Sequence, residues 1–359
     1  MAIQVFRPKL DNDRRIIVVS DILGNYEAFV RLLEKAKYTR EDYLILLGNL
    51  VERGPESLRT LRYIMDLAKN RRVFAVTGDM DLLSREIFRA DRNNELLQYV
   101  LRNHSIVRDM CAELGIRLTP EVNMHSIKLE LREVYAEELE FLQCLPHVIE
   151  TPKFVFAHAQ IMPGEIEEME PRDVYRAEAF LSKGFSFDRY VVVGHWPTLR
   201  YKEYKRNANP IINKTRHIIC VDGGMTVLRD GQMNALIIPN CESEDFSFVC
   251  VDEFPKKKAL NSQNAGMERH LIQAPDNRVK ILKVSGDMCY CRHEKTEKNY
   301  WIPKVFLTQA ADGTCYTEDY TDYQLKVTFE DVVSVVLETS RGTLVKRDGV
   351  TGWYYGMLE

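Results

Sequence analysis

The sequence predicts an α/β domain followed by a small, all-β C-terminal domain. Apolar strands alternate with helix-period segments in the first half of the 359 residues. Four more apolar runs of strand length follow before residue 240. Beyond residue 278 the segments are short and rich in β-formers, with turn residues between them. We therefore expect one domain at 1–250, a linker at 251–278 and a β-rich domain at 279–359.

The first half repeats one unit, in which a strand is followed by a helix. Residues 16–19 (IIVV) form a continuous apolar run, which is typical of a strand buried on both faces. Apolar residues from Ala28 to Ala36 then recur at helical spacing. "DYLILLGNL" and "RRVFAVTGD" predict two further strands, with a helix that starts at Pro55 between them. Right-handed crossovers would place the three loops after these strands at one edge of a parallel sheet.

The rest of the chain divides into a helical, a mixed and a β-rich part. Residues 82–150 predict mainly helices, and the strands that follow are "KFVFAHA", "RYVVVGHW", "RHIICVDGG" and "NALIIPN". The polar, aperiodic stretch "DEFPKKKALNSQNAGMERH" predicts the linker. The strands after residue 278 have the spacing of a small barrel, so we expect an SH3-like barrel there.

Composition and charge are those of an ordinary globular protein. The net charge of −4 gives no general attraction to nucleic acid or to acidic membranes. No uncharged apolar run approaches the roughly 20 residues that span a bilayer, and the first residues lack the apolar core of a signal peptide. Eight scattered cysteines then indicate reduced thiols. We expect a cytoplasmic protein that binds neither nucleic acid nor a membrane.

Polar side chains follow the predicted strands of the first domain at the points where the strands end. Ligands of such sheets gather at strand ends, and a polar group that is buried without a partner costs free energy. Several such groups in succession therefore predict one shared site. They are Asp21, Asn49, Asp79, Asp81, His158, His195 and Asp222.

The motifs at these strand ends resemble those of the calcineurin-like metallophosphoesterases, in particular the bacterial protein-phosphatase and dinucleoside-tetraphosphatase branch. That family has the pattern DxHGN, GDxxDRG, GNH[DE], a histidine after an apolar strand, and GH[TS]P. This sequence has DILGN, GNLVERG, GDMD, FAHA and GHWPT in the same order. The resemblance covers the first 240 or so residues. It implies a β-sandwich flanked by helices, with two divalent metals about 3.5–4 Å apart that clamp a phosphate.

The resemblance assigns roles to residues at the matching positions. Asp21, Asn49, Asp79, His158 and His195 occupy positions of metal ligands. A second set occupies positions next to the phosphate. In that set, Arg53 corresponds to the arginine that binds the phosphate oxygens, and Asn25 and Gly54 are implied to bind substrate together with it. The resemblance implies Arg53 and Asp81 as the catalytic residues.

Four positions depart from the family pattern. Leu23 replaces a histidine ligand and offers no lone pair, and Met80 replaces the histidine that assists the leaving group. Asn49 replaces the carboxylate that bridges both metals, whereas Asp79 replaces an asparagine ligand. Carboxylate and amide have thus exchanged places between positions 49 and 79.

These departures predict one divalent metal at most (manganese, zinc or iron), or none. The first metal position keeps only Asp21, which is too little to hold a hard cation. The second keeps Asp79, His158 and His195, which form a credible mononuclear site, with Asn49 as a further candidate ligand.

Two functions remain open at this point. The first is a phosphatase-like pseudoenzyme, or a module that binds a phosphate ester or a phosphoprotein, with weak or no hydrolysis. The alternative is an active metal-dependent phosphoesterase that uses a single metal and acts on a phosphoprotein or a nucleotide. In the first case the C-terminal β domain would be a second contact surface, for a protein partner.

One further set of residues has metal-ligand chemistry. Cys289, Cys291 and His293 share one face of a predicted strand, as period-two spacing requires. Three such ligands could begin a zinc site. No fourth ligand follows at a familiar spacing, so we interpret the set as ordinary strand packing.

Overall fold

The computed structural model describes residues 2–89, 95–201, 205–267 and 269–359. The chain forms two compact units. The first comprises Met1–Pro197, Pro210–Thr226 and Met233–Val251, and the second comprises Thr198–Asn209, Val227–Gln232 and Asp252–Glu359. The second unit therefore includes most of the segment for which the sequence predicts a linker, together with two short segments from within residues 1–250.

The first unit contains two mixed β-sheets. Its strands are β1 (Val5–Phe6), β2 (Ile16–Val19), β3 (Tyr43–Leu46), β4 (Val73–Ala75), β5 (Val148–Glu150), β6 (Phe154–Ala157), β7 (Tyr190–Val193), β8 (Ile211–Asn213), β9 (Ile218–Cys220), β10 (Met233–Ile238) and β11 (Ser247–Val251). One sheet has the order β11-β10-β2-β3-β4 and the other β1-β5-β6-β7-β9-β8. Strands β2, β3 and β4 are parallel to one another, and so are β6, β7 and β9.

The alternation of side chains along β2 shows how the layers are built. Ile16 and Val18 pack in a core between the two sheets, which also contains Phe154 and Val192. Residues 17 and 19 face the opposite way, into a core shared with the helices. Because both faces of the strand are buried, its sequence is apolar throughout. The predicted sandwich with flanking helices is observed.

Helices cover the outer face of the first sheet and fill the region from residue 81 to 143. They are α1 (Tyr26–Lys35), α2 (Ser57–Ala68), α3 (Glu95–Arg102), α4 (Ile106–Glu113), α5 (Met124–Val134) and α6 (Ala136–Gln143), with a 3₁₀ turn at Asp81–Phe88. Later in the first unit come α7 (Pro171–Tyr175) and 3₁₀ turns at Ile166–Glu168 and Phe180–Lys183, and a 3₁₀ turn at Thr198–Arg200 belongs to the second unit. Helix α2 begins two residues after Pro55, because the N–H of Glu56 is held by the carbonyl of Gly24 at 3.0 Å. Within the described residues, no helix has the length and apolar character needed to cross a membrane.

The second unit is rich in strands, as the sequence predicts. They are β12 (Lys256–Lys258), β13 (Leu271–Ile272), β14 (Arg278–Ser285), β15 (Met288–His293), β16 (Asn299–Pro303), β17 (Leu307–Gln309), β18 (Cys315–Thr317), β19 (Tyr320–Thr321), β20 (Val332–Thr339), β21 (Gly342–Arg347) and β22 (Val350–Tyr354), with a 3₁₀ turn at Lys304–Phe306. Their sheet orders are β12-β20-β21-β22, β13-β19 and β16-β15-β14-β18-β17. The lysine-rich β12, within the predicted linker, is an edge strand that pairs with β20.

Candidate metal and phosphate site

The predicted site lies where the parallel strands of the sandwich end. The loops after β2, β3 and β4 carry residues 20–25, 47–54 and 76–81, and His158 and His195 follow β6 and β7. Several non-glycine residues in these loops have left-handed backbone conformations. They are Asp21, Leu23, Asn49, Glu52, Arg53 and His195, with φ between +50° and +79°. Such conformations cost free energy and concentrate at functional sites, where the surrounding structure holds them.

Two glycines allow the loops to approach closely. A Cβ on Gly194 would lie 1.6 Å from Ser20 Oγ and 2.6 Å from Asp21 Oδ2. Because Gly194 has no side chain, the backbone N–H of His195 reaches Asp21 Oδ2 at 2.8 Å. A Cβ on Gly78 would lie 2.3 Å from the backbone nitrogen of Asn49. These glycines therefore set the spacing of the site rather than bind a ligand themselves.

Asp79, His158 and His195 meet in one cluster. One ligand atom from each lies within 4.8 Å of the others. Asp79 Oδ1 is 3.4 Å from both His158 Nε2 and His195 Nδ1. The fully buried His158 donates through Nδ1 to the Leu47 carbonyl at 2.6 Å, so that Nε2 points at the other two side chains. A backbone carbonyl that orients a histidine in this way is typical of metal-binding histidines.

The charges of this cluster balance one another. Burial would lower the pKa of His158, but the Asp79 carboxylate and the charge of Asp21 outweigh it and raise the pKa to about 9. Burial would likewise raise the pKa of Asp79, but hydrogen bonds from His158 and His195 hold it well below its usual range. Without a metal, the cluster is therefore an ion pair, and a cation that binds here would displace the proton on His158.

Asn49 connects the two carboxylates of the site. Its Nδ2 donates to Asp21 Oδ1 at 3.0 Å and to Asp79 Oδ1 at 3.1 Å. Its Oδ1 accepts the backbone N–H of Met80 at 2.9 Å, which fixes the orientation of the amide. The amide thus presents its donors, not its oxygen, to the carboxylates. The amide oxygen is thus engaged by Met80 in this arrangement, and the role of Asn49 as a metal ligand stays a prediction.

Asp21 is occupied by protein donors. One carboxylate oxygen accepts from Asn49, and the other accepts from the backbone of His195 and the hydroxyl of Ser20. The buried Leu23 lies two residues further on and offers only a hydrocarbon side chain. The residues present therefore fit one divalent cation at Asp79, His158 and His195, and they do not fit a second cation between Asp21 and position 23.

The predicted phosphate-binding residues differ in their surroundings. Arg53 is exposed, and its Nη2 lies 4.0 Å from the sulfur of Met80, next to Asp79 in sequence. The Asn25 amide nitrogen donates to the carbonyls of Ile22 and Leu23 and to Thr226 Oγ1, so its donors hold the loop. A Cβ on Gly54 would lie 2.1 Å from the Leu23 carbonyl oxygen. Of the three residues, Arg53 is the one that brings an exposed cationic group next to Met80.

Two buried carboxyl groups accept hydrogen bonds from backbone N–H groups of the site loops and their neighbours. Asp81 accepts the N–H groups of Gly78, Leu50 and Val51, and burial raises its pKa to about 6. It is 1 % exposed, so its position fits a structural role, and the catalytic role implied by the family resemblance stays a prediction.

The second buried carboxyl group belongs to Glu52, whose role the sequence analysis did not identify. It accepts from the N–H of Ile106 at 3.1 Å and from the hydroxyl of Tyr99 at 3.3 Å. Burial raises its pKa to about 8. The only signal in the sequence is its place beside Arg53 in "VERG".

The cysteine and histidine set of the second unit is packed as predicted from the sequence. Both ring nitrogens of His293 are engaged, Nδ1 with Thr296 Oγ1 and Nε2 with the Asp276 carbonyl. Cys289 and Cys291 are buried in an apolar core. The cluster of metal-ligating groups within the described residues is the one formed by Asp79 and the two histidines.

Known proteins match parts of this sequence. The symmetrical bis(5'-nucleosyl)-tetraphosphatase of Vibrio vulnificus is 28% identical over 160 residues, which cover 44% of this chain and 53% of that protein. The enzyme of the same name from Aeromonas salmonicida is 48% identical over 65 residues, 18% of this chain and 23% of that protein. The chain thus spans about half or less of the length of these curated relatives.

Solved structures and a family model complete the comparison. A candidate diadenosine tetraphosphatase has 18% identity and a TM-score of 0.43, covering 70% of this chain and 98% of that one. A serine/threonine phosphatase from Saccharomyces cerevisiae has 11% identity and a TM-score of 0.40, covering 70% and 85%. The model of the calcineurin-like phosphoesterases matches residues 14–212, more than half of the chain. The chain therefore belongs to the calcineurin-like phosphoesterase family.

Proposed function

We propose that this chain is a phosphatase-like pseudoenzyme that binds a phosphate ester or a phosphoprotein, holds at most one divalent cation, and has weak or no hydrolytic activity. The observation that carries the proposal is the hydrogen-bonded bridge from Asn49 to Asp21 and Asp79. A cation between these carboxylates would need lone pairs from position 49. It would meet N–H donors instead, because Met80 holds the amide oxygen on the other side.

We propose Asp79, His158 and His195 as the ligands of the single cation, because their ligand atoms lie within 4.8 Å of one another. Two imidazoles and one carboxylate suit zinc, manganese or iron. Such a cation would supply Lewis acidity toward a phosphate oxygen. Arg53, which is exposed beside Met80, would contribute a charged donor for the other oxygens.

Weak hydrolysis follows from two missing groups. Met80 occupies the position of the family's leaving-group acid and cannot deliver a proton. The loss of such an acid costs about 10²–10⁴ in rate. Without a second cation, a two-metal clamp on the attacking and leaving oxygens cannot form. Since relatives are dinucleoside tetraphosphatases, a dinucleoside polyphosphate is a candidate ligand.

The test measures metal content and turnover on the same preparation. The full chain is loaded separately with Mn²⁺, Zn²⁺ and Fe²⁺, and bound metal is counted by elemental analysis. Hydrolysis of an aryl phosphate is then followed with each metal. We expect no more than one metal per chain, lost in His158→Asn, and little turnover. Two metals per chain with brisk turnover would overturn the proposal.

A second candidate is an active phosphoesterase with a single metal. It is favoured by the orientation of His158 through the Leu47 carbonyl, which prepares Nε2 for a cation. Under this alternative, turnover rises in proportion to one bound metal and is lost in His195→Gln. Turnover that is unaffected by metal removal would exclude it.

The cellular location of the protein and its protein partner are also proposals. All eight cysteines are free thiols in the structure, in keeping with a cytoplasmic location. We propose that the strand-rich second unit has an SH3-like core and contacts a protein partner. Fractionation of cells and a solved structure of the second unit would test these two points.

A further inference from the structure

One strand of the second unit has a free edge. Strand β14 pairs with β15 along its length, from Val279 to Ser285, but with β18 only at Arg278 and Val279. On that second side, residues 280–285 have no strand partner among the described residues. At about 3.4 Å per residue, this edge is about 20 Å long. Unpaired N–H and C=O groups on such an edge are a template for another strand.

The free edge also exposes apolar side chains. Ile281 is 42% exposed, Leu282 47% and Val284 56%. All residues from 280 to 285 are exposed. Lys283 and Val284 are adjacent and lie beyond the register shift, so they point to opposite faces, and their exposure means that β14 is uncovered on both faces. A contiguous exposed apolar segment of this kind indicates a protein contact.

The positive charge of β14 favours an acidic partner. Lys280 lies opposite Arg292 on the neighbouring strand, and like charges in that relation destabilise a sheet. Arg292 has Glu297 as an ion partner at 3.3 Å. In the described part of the chain, Lys280 and Lys283 have no such partner. A carboxylate from another molecule would relieve the repulsion.

Self-association is disfavoured by the same lysines. Pairing β14 with β14 of a second copy would bring lysines together, Lys280 opposite Lys283 in an antiparallel pair or each lysine beside its own counterpart in a parallel one. Lysines and bulges on an edge strand are a common protection against self-pairing, and β14 has a register shift between Ile281 and Lys283. We propose that the free edge of β14, residues 280–285, binds an extended acidic segment of a partner protein as an additional strand.

The test uses the full chain and a fluorescent peptide of alternating valine and glutamate. We expect this peptide to bind, to protect from hydrogen exchange those amides of residues 280–285 that point to the free edge, and to bind more weakly as salt is added. The peptide of alternating valine and lysine should not bind. In Lys280→Glu/Lys283→Glu we expect affinity to fall by at least about tenfold, or about 1.4 kcal/mol. The matched control Lys9→Glu/Lys326→Glu changes the net charge equally and should bind as the original chain does.

Several results would overturn the proposal. Equal binding of both peptides would show that charge does not select the partner. Stronger binding of a single-stranded oligonucleotide would assign the basic edge to nucleic acid. If these amides were protected from exchange without peptide, and more strongly at higher protein concentration, the edge would bind a second copy of the chain instead. If the charge-reversed variant does not fold, peptide binding to the original chain is measured at increasing salt concentration. Binding that does not change with salt would contradict the proposal.

Discussion

The side-chain nitrogen of Asn49 lies 3.0 Å from Asp21 Oδ1 and 3.1 Å from Asp79 Oδ1, so one neutral amide bridges two carboxylates. In a two-metal phosphoesterase, cations neutralise such carboxylates. Here N–H donors from Asn49 and His195 and the hydroxyl of Ser20 serve Asp21, and two histidines serve Asp79. The loops can therefore keep their geometry without two metals, and the following predictions test that conclusion.

Replacing Asn49 by aspartate should make stability depend on metal. Asn49→Asp removes both donors and places a third carboxylate beside Asp21 and Asp79. We expect the metal-free variant to lose about 1–3 kcal/mol of unfolding free energy and to recover on addition of Mn²⁺. Thermal unfolding with and without Mn²⁺ measures this. Asn49→Leu is the control, since it loses the donors without adding charge and should not respond to Mn²⁺.

Restoring the family residues should restore the second metal. We expect Leu23→His, Asn49→Asp, Asp79→Asn and Met80→His together to raise bound metal to two per chain and to raise aryl phosphate turnover by at least about a hundredfold. Elemental analysis and steady-state kinetics measure the two effects. Met80→His alone should leave metal content unchanged. A quadruple variant that stays metal-free would contradict the placement of these loops around one site.

Glu52 should make stability fall as pH rises. Its pKa is 4.5 in the unfolded chain and about 8 in the folded one, because burial penalises the charged form. Between these values the folded state keeps a proton that the unfolded state has lost. The group therefore lowers the free energy of unfolding by about 1.4 kcal/mol per pH unit, and the loss ends above about pH 8. Urea denaturation from pH 5.5 to 8.5 should show a flatter profile for Glu52→Gln; the same slope in both proteins would refute this role.

Gly194 should be intolerant of any side chain. In Gly194→Ala the new Cβ would meet Ser20 Oγ at 1.6 Å, so the loop after β7 must move away from Asp21. We expect a loss of about 1–3 kcal/mol from overpacking and weaker metal binding, because His195 moves with the loop. Denaturation and metal titration measure these effects. Gly115→Ala, whose Cβ meets nothing within 4 Å, should cost only about 1–2 kcal/mol for its left-handed backbone and leave metal binding unchanged.

The first unit was largely predictable, because its signals are local. The continuous apolar run at 16–19 is a strand with both faces buried, as the pattern predicts. Strand-end motifs also identified the cluster of Asp79, His158 and His195, since the parallel strands bring their ends to one edge. The linker prediction at 251–278 did not anticipate β12. "KKK" has no apolar alternation, and its pairing with β20 depends on residues more than seventy positions away.

The sequence by itself determined the family, the α/β sandwich and the set of residues at the strand ends, because each depends on order, spacing and residue type. Only the tertiary structure decided what those residues do to one another. That the Asn49 amide turns its donors to two carboxylates depends on the Met80 N–H, which holds its oxygen. That Glu52 keeps a proton near neutral pH depends on burial under other elements. Hydrogen-bond direction and burial arise from contacts between distant segments, and a linear pattern does not contain them.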